Sequence, residues 1–534
     1  MISLTGTWTL IRFILRRDRV RIPVWIIAIL VTIWGTAAIF PDTYPTAADR
    51  QARATLIENP AMRLLLGPVH GAEDYTFGAM MASEMLGMAL VAVGLMSIFM
   101  IVRHTRTEEE TGRAELVRSS IVGRHAAIVA SLSVVVALNV LIGLGVAVTL
   151  DATLVELDTA GSLTFGAAMA SFGIFFAAIT LVSVQINEFA RAASGMSIAV
   201  LVGAYVIRGF GDMLENPLEW MPPSGLALQS APYVDNTIWP LAVLVAVSVA
   251  LVPVALSLSD RRDVAAGLRQ PRPGPANAST FLARPFGMVV RRQRGSLMAW
   301  GTGIVLFGLA YGSMINEIGE QYGDNPMVQD YFVALGLDTQ QLTESVIAMV
   351  VMFMALLASL FTVSTISRLR SDETSNLAEN LLATAVSRIR WAGESLVFGL
   401  VMPTLILLLT GLAGGALYAA DTGNWNDMWT FTGAIMAYAP ALWLAAAVAV
   451  AVFGMIPKAM LLAWFVPAYG FFALMIAPLM GLPGWMNDLS PFEYVPRIPS
   501  VDFEAMPLIV MTALALVLIV AGLLGIRSRD MEFV

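Results

Sequence analysis

The sequence of residues 79–102 is AMMASEMLGMALVAVGLMSIFMIV, and Glu84 is the single charged residue in it. An apolar run of about 20 residues is long enough to cross the hydrocarbon core of a bilayer as a helix. Within that core a helix satisfies its own backbone hydrogen bonds, which an exposed irregular segment cannot do. This stretch therefore predicts a membrane-spanning helix.

Eleven other runs of similar length and apolarity occur along the 534 residues. The chain is 57% hydrophobic and 13% charged, whereas soluble domains carry about 25% charged residues. These features predict an all-α polytopic membrane protein with twelve transmembrane helices. The predicted spans are residues 22–40, 79–102, 126–149, 163–185, 193–210, 238–258, 297–316, 345–366, 395–418, 429–452, 460–480 and 506–526.

The basic residues are concentrated in alternate connecting segments. If the N-terminus is cytoplasmic, 26 of the 31 Lys and Arg residues fall in cytoplasmic segments, as the positive-inside rule requires. The opposite orientation would reverse this bias. We therefore expect both termini to lie in the cytoplasm.

Three sequence features recur in the same order later in the chain, which indicates an internal duplication. They are RRDR (16–19) before Trp25 and RRQR (291–294) before Trp300; EEETGRAELVRSSIVGR (108–124) and DETSNLAENLLATAVSR (372–388); and Trp220-Met221 and Trp485-Met486. The duplication predicts two homologous six-helix halves in the same orientation.

The halves are joined by a stretch that contains RQPRPGPANAST, whose Pro, Gly and small polar residues are typical of a flexible linker. The predicted segments are a first half at 1–258, with an amphipathic helix at 5–21 and a loop helix at 107–120; a cytoplasmic linker at 259–279; and a second half at 280–534, with an amphipathic helix at 280–296 and a loop helix at 372–384.

Each loop helix has local signals for a helix of two or three turns. In the first, Thr107 and Glu110 fit a capping box, in which each side chain bonds a backbone N–H of the first turn. The second starts with Ser371, followed by two acids. The alternative interpretation is a solvated connector. An isolated helix this short is marginal in water, so two copies favour a docking partner.

The pattern [Glu/Asp]-x-x-x-[Gly/Asn]-x-Ala-Glu, followed by VGR or VSR, resembles the first cytoplasmic loop of type-2 ABC exporter permeases. The basic segment WTLIRFILRRDRVRIPVW before the first span resembles the same family. The best resemblance is to the fused twelve-span permeases of bacterial tetronasin, polyketide-antibiotic and multidrug exporters. The second loop departs from the pattern, because Asn376 and Asn380 replace Gly112 and Leu116.

The resemblance implies that each loop helix is a coupling helix, which binds an ATPase subunit and transmits its movement to the spans. It also implies short re-entrant hairpins at 211–237 and 481–505, on the outer side of a bacterial plasma membrane. The expected ATPase-coupling residues are Glu108, Glu109, Glu110, Arg113, Glu115, Asp372, Glu373 and Glu379.

The resemblance further implies the partners. They are two copies of an ABC ATPase subunit, membrane lipid and a hydrophobic small-molecule substrate, with no nucleic acid. ATP and Mg would be bound by the ATPase subunits. We expect no cofactor or metal in this chain and no ATPase site, because a P-loop needs a Gly-Lys pair and the single lysine, Lys458, lies in GMIPKAM.

Several residues in the spans are candidates for the substrate path. An acid inside a span is costly and indicates function by default, and flexible thioethers suit a surface that adapts to varied ligands. The alternatives are structural: a hydrogen-bonded acid near the membrane interface for Glu84, lipid-facing or core-filling side chains for the methionines, and a contact between helices for Asn139. The candidates are Glu84, Met85, Met88, Asn139 and Met352.

The sequence leaves two other function classes open. A proton-coupled multidrug antiporter of the major-facilitator type also joins two six-span halves as parallel repeats, but its usual Gly/Asp/Arg-rich signature is replaced here by an acid-led loop. An intramembrane enzyme would need paired catalytic groups at membrane depth. The acids in or beside the spans, Glu84 and Glu394, lie near opposite faces.

Overall fold

The computed structural model describes residues 4–58, 62–63, 66–153, 157–214, 216–263, 266–269, 276–282, 284–313, 315, 342–475 and 484–531. Twelve helices among these residues are long and apolar enough to cross a membrane. The prediction of an all-helical polytopic membrane protein with twelve spans is therefore confirmed. The chain divides into two compact units, Met1–Gly274 and Pro275–Val534, with six spans in each.

The first unit contains spans 1 to 6. They are Arg21–Thr43, Phe77–Glu110, Ala126–Asp151, Thr159–Ile186, Ala190–Asp212 and Trp239–Asp260. Span 2 is built from consecutive helical segments at Phe77–Met80, Met81–Met85, Leu86–His104 and Arg106–Glu110, of which Met81–Met85 is a π-helical turn.

The second unit contains spans 7 to 12. They are Pro285–Gly312, Thr343–Thr374, Arg388–Thr422, Asn426–Met455, Pro457–Leu474 and Ala505–Ser528. Span 11 begins as a 3-10 helix, Pro457–Trp464, and continues as Phe465–Met475. The rest of its predicted extent, 476–480, lies outside the described residues.

Equivalent spans form the core of the two units, spans 2 and 4 in the first and spans 8 and 10 in the second. In spans 2, 4, 8 and 10, 72–78% of the most apolar stretch is buried, compared with 17% in spans 1 and 7. Spans 1, 6 and 12 are mostly exposed, yet their mean hydropathy of 2.2 to 2.8 matches that of the central spans, so their exposed faces suit lipid rather than water. The loops after spans 2 and 8 therefore continue directly from the core of each unit.

The amphipathic helix predicted at 5–21 is shorter than expected. It runs from Thr7 to Arg17 and ends at Asp18, whose side chain is fully buried. Asp18 Oδ2 lies 2.6 Å from His104 Nε2, and Arg103 donates to Asp18 Oδ1 at 3.2 Å. The buried acid therefore fixes the end of this helix against span 2.

The separate amphipathic helix predicted at 280–296 is wrong. A single helix, Pro285–Gly312, runs through this segment and into span 7 without a break. The residue that occupies the place of Asp18 in the duplication is Gln293. Glutamine has a higher helix propensity than aspartate and does not compete for backbone donors. The helix therefore continues where that of the first half ends.

The beginning of the predicted flexible linker is fixed in place. The backbone N–H groups of Leu268 and Arg269 donate to the carbonyl oxygens of Gln185 and Ile186 at 3.1 and 3.0 Å. These carbonyls end span 4, where a helix leaves its last acceptors unpaired. Leu268 and Arg269 are thus bonded to the end of span 4, and the flexibility of the rest of the linker stays a prediction. Residues 264–265 and 270–275 lie outside the described residues.

The segment after span 5 enters the first unit, as a re-entrant hairpin would. Its short helix, Pro223–Leu228, is mostly buried. Ser224 donates to the carbonyl oxygen of Ala204 at 3.1 Å, which lies roughly 13 Å before the end of span 5 at the usual rise of a helix. In the second unit, the described part of the corresponding segment buries Phe492 and Val495.

Candidate functional site

The loop helix predicted at 107–120 is broken in the structure. The chain forms a helix at Arg106–Glu110, turns at Gly112, and forms a second helix at Arg113–Arg118. Gly112 has a φ of 73°, a left-handed conformation that glycine adopts without a steric penalty. The prediction of one continuous helix was therefore wrong.

The predicted capping box of Thr107 and Glu110 does not form. The first short helix begins at Arg106, so Thr107 lies inside it. Glu110 Oε2 instead accepts a hydrogen bond from the backbone N–H of Ala190 at 3.0 Å. Ala190 is the first residue of span 5, and its N–H has no acceptor within that helix. Glu110 therefore links the loop to span 5.

The second loop is broken at the equivalent residue. Span 8 continues to Thr374, through the predicted helix start at Ser371, and a short helix follows at Leu377–Leu382. Asn376, between them, has a φ of 58°. Asparagine is among the residues enriched in the left-handed region, so it replaces Gly112 with the turn preserved. The predicted start of this helix was therefore wrong as well.

Each loop thus has two parts with different surroundings. We call the helices after the turn, Arg113–Arg118 and Leu377–Leu382, the tip helices. Five of the predicted coupling acids precede the turn and belong to the ends of spans 2 and 8. They are Glu108, Glu109, Glu110, Asp372 and Glu373.

Glu109 is bound within the first unit by an arginine that follows span 6. Arg262 donates through both terminal nitrogens to the two Glu109 carboxylate oxygens, each at 2.7 Å. Its Nε donates to Gln185 Oε1 at 2.6 Å. The side chains of Arg262 and Glu109 are 5% and 9% exposed. Arg262 therefore joins the ends of spans 2, 4 and 6.

Glu373 is bound in the same way within the second unit. Arg529, just after span 12, donates to its two carboxylate oxygens at 2.7 and 2.9 Å. The guanidinium also lies over the ring of Phe453, with 4.8 Å between the Arg529 Cζ and the ring centroid. Phe453 is near the end of span 10. Arg529 therefore joins the ends of spans 8, 10 and 12.

We call these two arrangements the arginine anchors. The first consists of Arg262, Glu109 and Gln185, and the second consists of Arg529, Glu373 and Phe453. A bidentate pair between guanidinium and carboxylate is strong and directional. Each anchor fixes the base of its tip helix to three span ends.

Two further ion pairs join spans 2 and 8 to the duplicated basic segments, of which RRDR precedes span 1 and RRQR lies in the first part of span 7. Arg17 donates to Glu108 at 2.6 Å. Arg292 donates to both oxygens of Asp372, at 2.6 and 2.5 Å. Arg17 and Arg292 occupy matching places in the duplicated RRDR and RRQR segments. The five predicted coupling acids that precede the turns therefore have partners within their own unit.

The remaining predicted coupling residues lie on the tip helices and are exposed. Glu115 and Glu379 occupy equivalent positions there, and the side chain of Arg113 is 59% exposed. The first tip helix and the residues after it also present large apolar side chains, since Leu116 is 75% and Ile121 is 91% exposed. Exposed apolar residues with a charged rim are typical of a protein-binding surface.

The opposite face of each tip helix packs against its own unit. Ala378 of the second tip helix is fully buried. Beneath the first tip helix is a cavity of about 80 Å³, lined by Ala114 and Val117 and by residues of the N-terminal helix Thr7–Arg17. The inner face therefore contacts the unit, whereas the outer face is open to a partner.

Arg262 and Arg529 are the functional candidates that the sequence did not reveal. In the sequence they contribute only to the distribution of basic residues that predicts orientation. A signal was present, because an Arg-Asp pair recurs just after the sixth span of each half, as Arg262-Asp263 and Arg529-Asp530. The acids that they bind, Glu109 and Glu373, were matched by the duplication, but nothing in the sequence paired acid with arginine.

The structure gives Glu84 a charged partner. Glu84 lies in the π-helical turn of span 2, and Arg53 donates to its carboxylate from Nε and from a terminal nitrogen at 3.1 and 2.6 Å. Tyr75 also donates to Glu84, at 3.3 Å. Burial, together with the Glu84 charge, raises the pKa of Tyr75, so its hydroxyl stays protonated. The acid is thus neutralised within the first unit.

For the other substrate-path candidates, the structure shows their surroundings within each unit. Met85 and Met352 are buried in separate units, whereas Met88 is 60% exposed. Asn139 in span 3 donates to Ser97 of span 2 at 2.9 Å. That bond is typical of the polar contacts that join membrane helices. The role of these residues in a substrate path stays a prediction.

We expect Glu84→Gln to reduce the stability of the protein rather than to change its selectivity. The substitution removes a charged partner from the partly buried Arg53, which costs about 1–3 kcal/mol. Thermal unfolding of the detergent-solubilised protein measures this loss. The double variant Arg53→Gln/Glu84→Gln should recover most of it, and Glu73→Gln, at an exposed acid, is the control. If the variant instead kept its stability but transported cationic drugs differently from the unmodified protein, Glu84 would again be a candidate substrate contact.

Comparison with known proteins concerns nearly the whole chain. The sequence profile of a family described as "Multidrug efflux system permease Rv1217c, C-terminal domain" matches residues 9–258 and 282–527. The chain is also 36% identical over 535 residues to the multidrug efflux system permease protein Rv1217c of Mycobacterium tuberculosis (strain ATCC 25618 / H37Rv), which covers 99% of this chain and 96% of that relative. Each matched stretch contains six spans and one tip helix.

Proposed function

This chain belongs to the multidrug efflux system permease family, and from that membership we propose that it is the membrane subunit of an ATP-driven exporter of hydrophobic and amphipathic compounds. The family resemblance inferred from the loop pattern is confirmed. The comparisons lend no support to the major-facilitator alternative. The chain is a multi-pass transport subunit, and we propose that ATP and Mg are bound by separate ATPase subunits.

One observation carries this proposal: each unit presents a short helix whose outer face is exposed and whose base is anchored to span ends. An external motor needs a contact surface that is joined rigidly to the helices it moves. The exposed Glu115 and Leu116 offer such a surface in the first unit, and Glu379 offers it in the second. The anchors supply the connection to the spans.

The two tip helices support a proposal for the number and placement of the partners. We propose one ATPase subunit at each, and hence two for each chain. Because an ATPase that uses cytoplasmic ATP must bind on the cytoplasmic side, the tip helices and both termini are proposed to face the cytoplasm across a bacterial plasma membrane. The distribution of basic residues supports this orientation.

The second tip helix has Asn380 where the first has Leu116. Burial of a leucine side chain contributes about 1.5–3 kcal/mol, a term that asparagine does not provide. We therefore propose that the first tip helix binds its ATPase subunit more tightly than the second.

Leu116→Asp is expected to weaken ATPase binding at least tenfold, since it places a charge in the apolar part of the proposed contact. Co-purification of the chain with a tagged ATPase subunit measures the effect. Met221→Asp is a matched control, because Leu116 and Met221 are both 75% exposed, but Met221 lies beyond span 5, at the other end of the unit. Equal ATPase recovery from both variants would contradict the proposed docking surface.

Transport itself tests the wider proposal. Vesicles that contain the chain and its ATPase should accumulate a fluorescent amphipathic substrate only when ATP is present. A protonophore at constant ATP should leave the rate unchanged. Full transport without ATP, or without an ATPase subunit, would overturn the proposal.

A further inference from the structure

We propose that the two arginine anchors are positioning devices that make each tip helix and three span ends move as one rigid piece during transport. The inference rests on the proposed function, because it concerns how movement of an ATPase subunit would reach the spans. It assigns that role to Arg262 and Arg529, which contact neither the proposed docking surface nor a substrate candidate.

The geometry of the first anchor leaves little freedom. The three guanidinium nitrogens of Arg262 all donate, and Nη1 also reaches the carbonyl oxygen of Ala266 at 3.1 Å. A planar guanidinium with so many acceptors has one orientation in which every bond forms. Its burial also shields the ion pair with Glu109 from solvent and salt. A movement of one span end would therefore carry the others with it.

The second anchor keeps the same connection with different chemistry. Gln185 accepts a hydrogen bond from Arg262 at the end of span 4, whereas Phe453 contacts Arg529 through its ring at the end of span 10. The acids Glu109 and Glu373 are equivalent in the duplication. Both anchors therefore join three span ends, and they differ only in the residue at the second of these ends, Gln185 in the first anchor and Phe453 in the second.

Another duplicated arginine, next to the start of span 3 or span 9, donates to backbone carbonyls at each anchor. Arg124 donates to the carbonyl oxygens of Ser259 and Asp260 at 3.2 and 3.0 Å. Arg388 donates to the carbonyl oxygen of Arg529 at 2.7 Å. These carbonyls lie at or just after the ends of spans 6 and 12. The helix that follows the tip helix is therefore tied to the same point as the helix that precedes it.

The natural chain has no cysteine, which permits a direct test. The variant Glu109→Cys/Arg262→Cys removes the first anchor and supplies a single pair of thiols for a short bismaleimide to bridge. Glu109 also accepts a hydrogen bond from the buried Arg106, so Arg106→Gln is included both in this variant and in its control. The full complex of chain and ATPase, reconstituted in vesicles, reports substrate molecules transported per ATP hydrolysed.

Before bridging, we expect this ratio to fall at least tenfold while ATPase binding and hydrolysis stay within twofold of the unmodified complex. After bridging, the ratio should return to within about threefold of its original value. The control variant Arg261→Cys/Asp263→Cys changes the exposed residues on either side of Arg262 and should keep its ratio in both conditions. A purely structural role would lower binding and transport together and would not be rescued by a bridge.

Two results would overturn the inference: an unchanged ratio in the unbridged cysteine pair, or a ratio that stays low after complete bridging. If the protein with the cysteine pair does not accumulate in the membrane, Arg262→Lys replaces it. Lysine keeps the charge, but its single nitrogen lacks the planar fork that bonds both Glu109 oxygens and Gln185 at the same time. An unchanged ratio in that variant is equally contradictory. The proposed function fails separately, if the unmodified chain transports without ATP or binds no ATPase.

Discussion

Glu373→Lys is expected to prevent the second unit from folding stably, whereas Glu379→Lys, one tip-helix turn beyond Asn376, should leave the unit intact. Glu373 is fully buried, and Arg529 donates to both of its carboxylate oxygens. Arg370 approaches the same carboxylate at 3.4 Å. A lysine at this position would face the positive charges of two arginines.

The expected loss is large by the standard of single substitutions. Removal of one partner from a buried ion pair costs about 3–5 kcal/mol, and the repulsion between like charges adds to it. That cost is a substantial part of the stability of a typical domain, about 5–15 kcal/mol. The yield of monodisperse protein after extraction in mild detergent and its thermal unfolding measure the effect.

Glu379→Lys is a close control for this prediction. It makes the same change of charge in the same loop, but Glu379 is exposed, and surface substitutions usually change stability by less than about 0.5 kcal/mol. We expect normal yield from this variant and a defect only in ATPase binding. If the two variants unfold at the same temperature, the second anchor does not stabilise the unit.

The duplication and the spans were predictable because they depend on local patterns. A run of apolar residues identifies a span wherever it packs. The alignment at an offset of 264 matched Glu109 with Glu373 and Arg124 with Arg388, all four of which the structure places in or beside the anchors. The sequence therefore identified equivalent positions correctly, although it could not show what they contact.

The break in each loop helix could not be predicted from propensity alone. Gly112 lies within a stretch of good helix formers, and Asn376 differs from it in size and polarity. Their common property is tolerance of positive φ, which becomes informative only when the two are aligned. The exchange of Gly112 for Asn376 therefore conserves the backbone conformation, whereas the exchange of Leu116 for Asn380 replaces an apolar side chain with a polar one.

The partners of the acids depend on tertiary structure. Arg262 is 153 residues from Glu109, and Arg529 is 156 residues from Glu373. Before the fold is known, an acid near the membrane surface suits an external partner as well as an internal one. For this reason the predicted coupling set included buried acids, and the exposed Leu116 and Ile121 were not in it.

Gly414→Val in span 9 is expected to disrupt the packing of spans 7 and 9, whereas Gly303→Val in span 7 should be tolerated. A Cβ atom at Gly414 would lie 2.6 Å from the carbonyl oxygen of Gly308, which belongs to the backbone of span 7. At Gly303 no atom lies within 4 Å of such a Cβ. Small residues let membrane helices approach this closely, and no side-chain rotation relieves a clash with backbone.

Comparison of the two valine variants isolates the steric effect, because both exchange glycine for valine inside a membrane helix and so change the helix propensity alike. Overpacking of a close contact costs about 1–3 kcal/mol, and separation of the two helices would add the loss of their remaining contacts. We expect Gly414→Val to unfold at a lower temperature and to transport poorly, with Gly303→Val near the unmodified protein in both respects. Gly414→Ala should give an intermediate result, since its single methyl group meets the same oxygen. Equal behaviour of Gly414→Val and Gly303→Val would show that spans 7 and 9 separate without loss of stability, and the close backbone contact would then have no role in holding the second unit together.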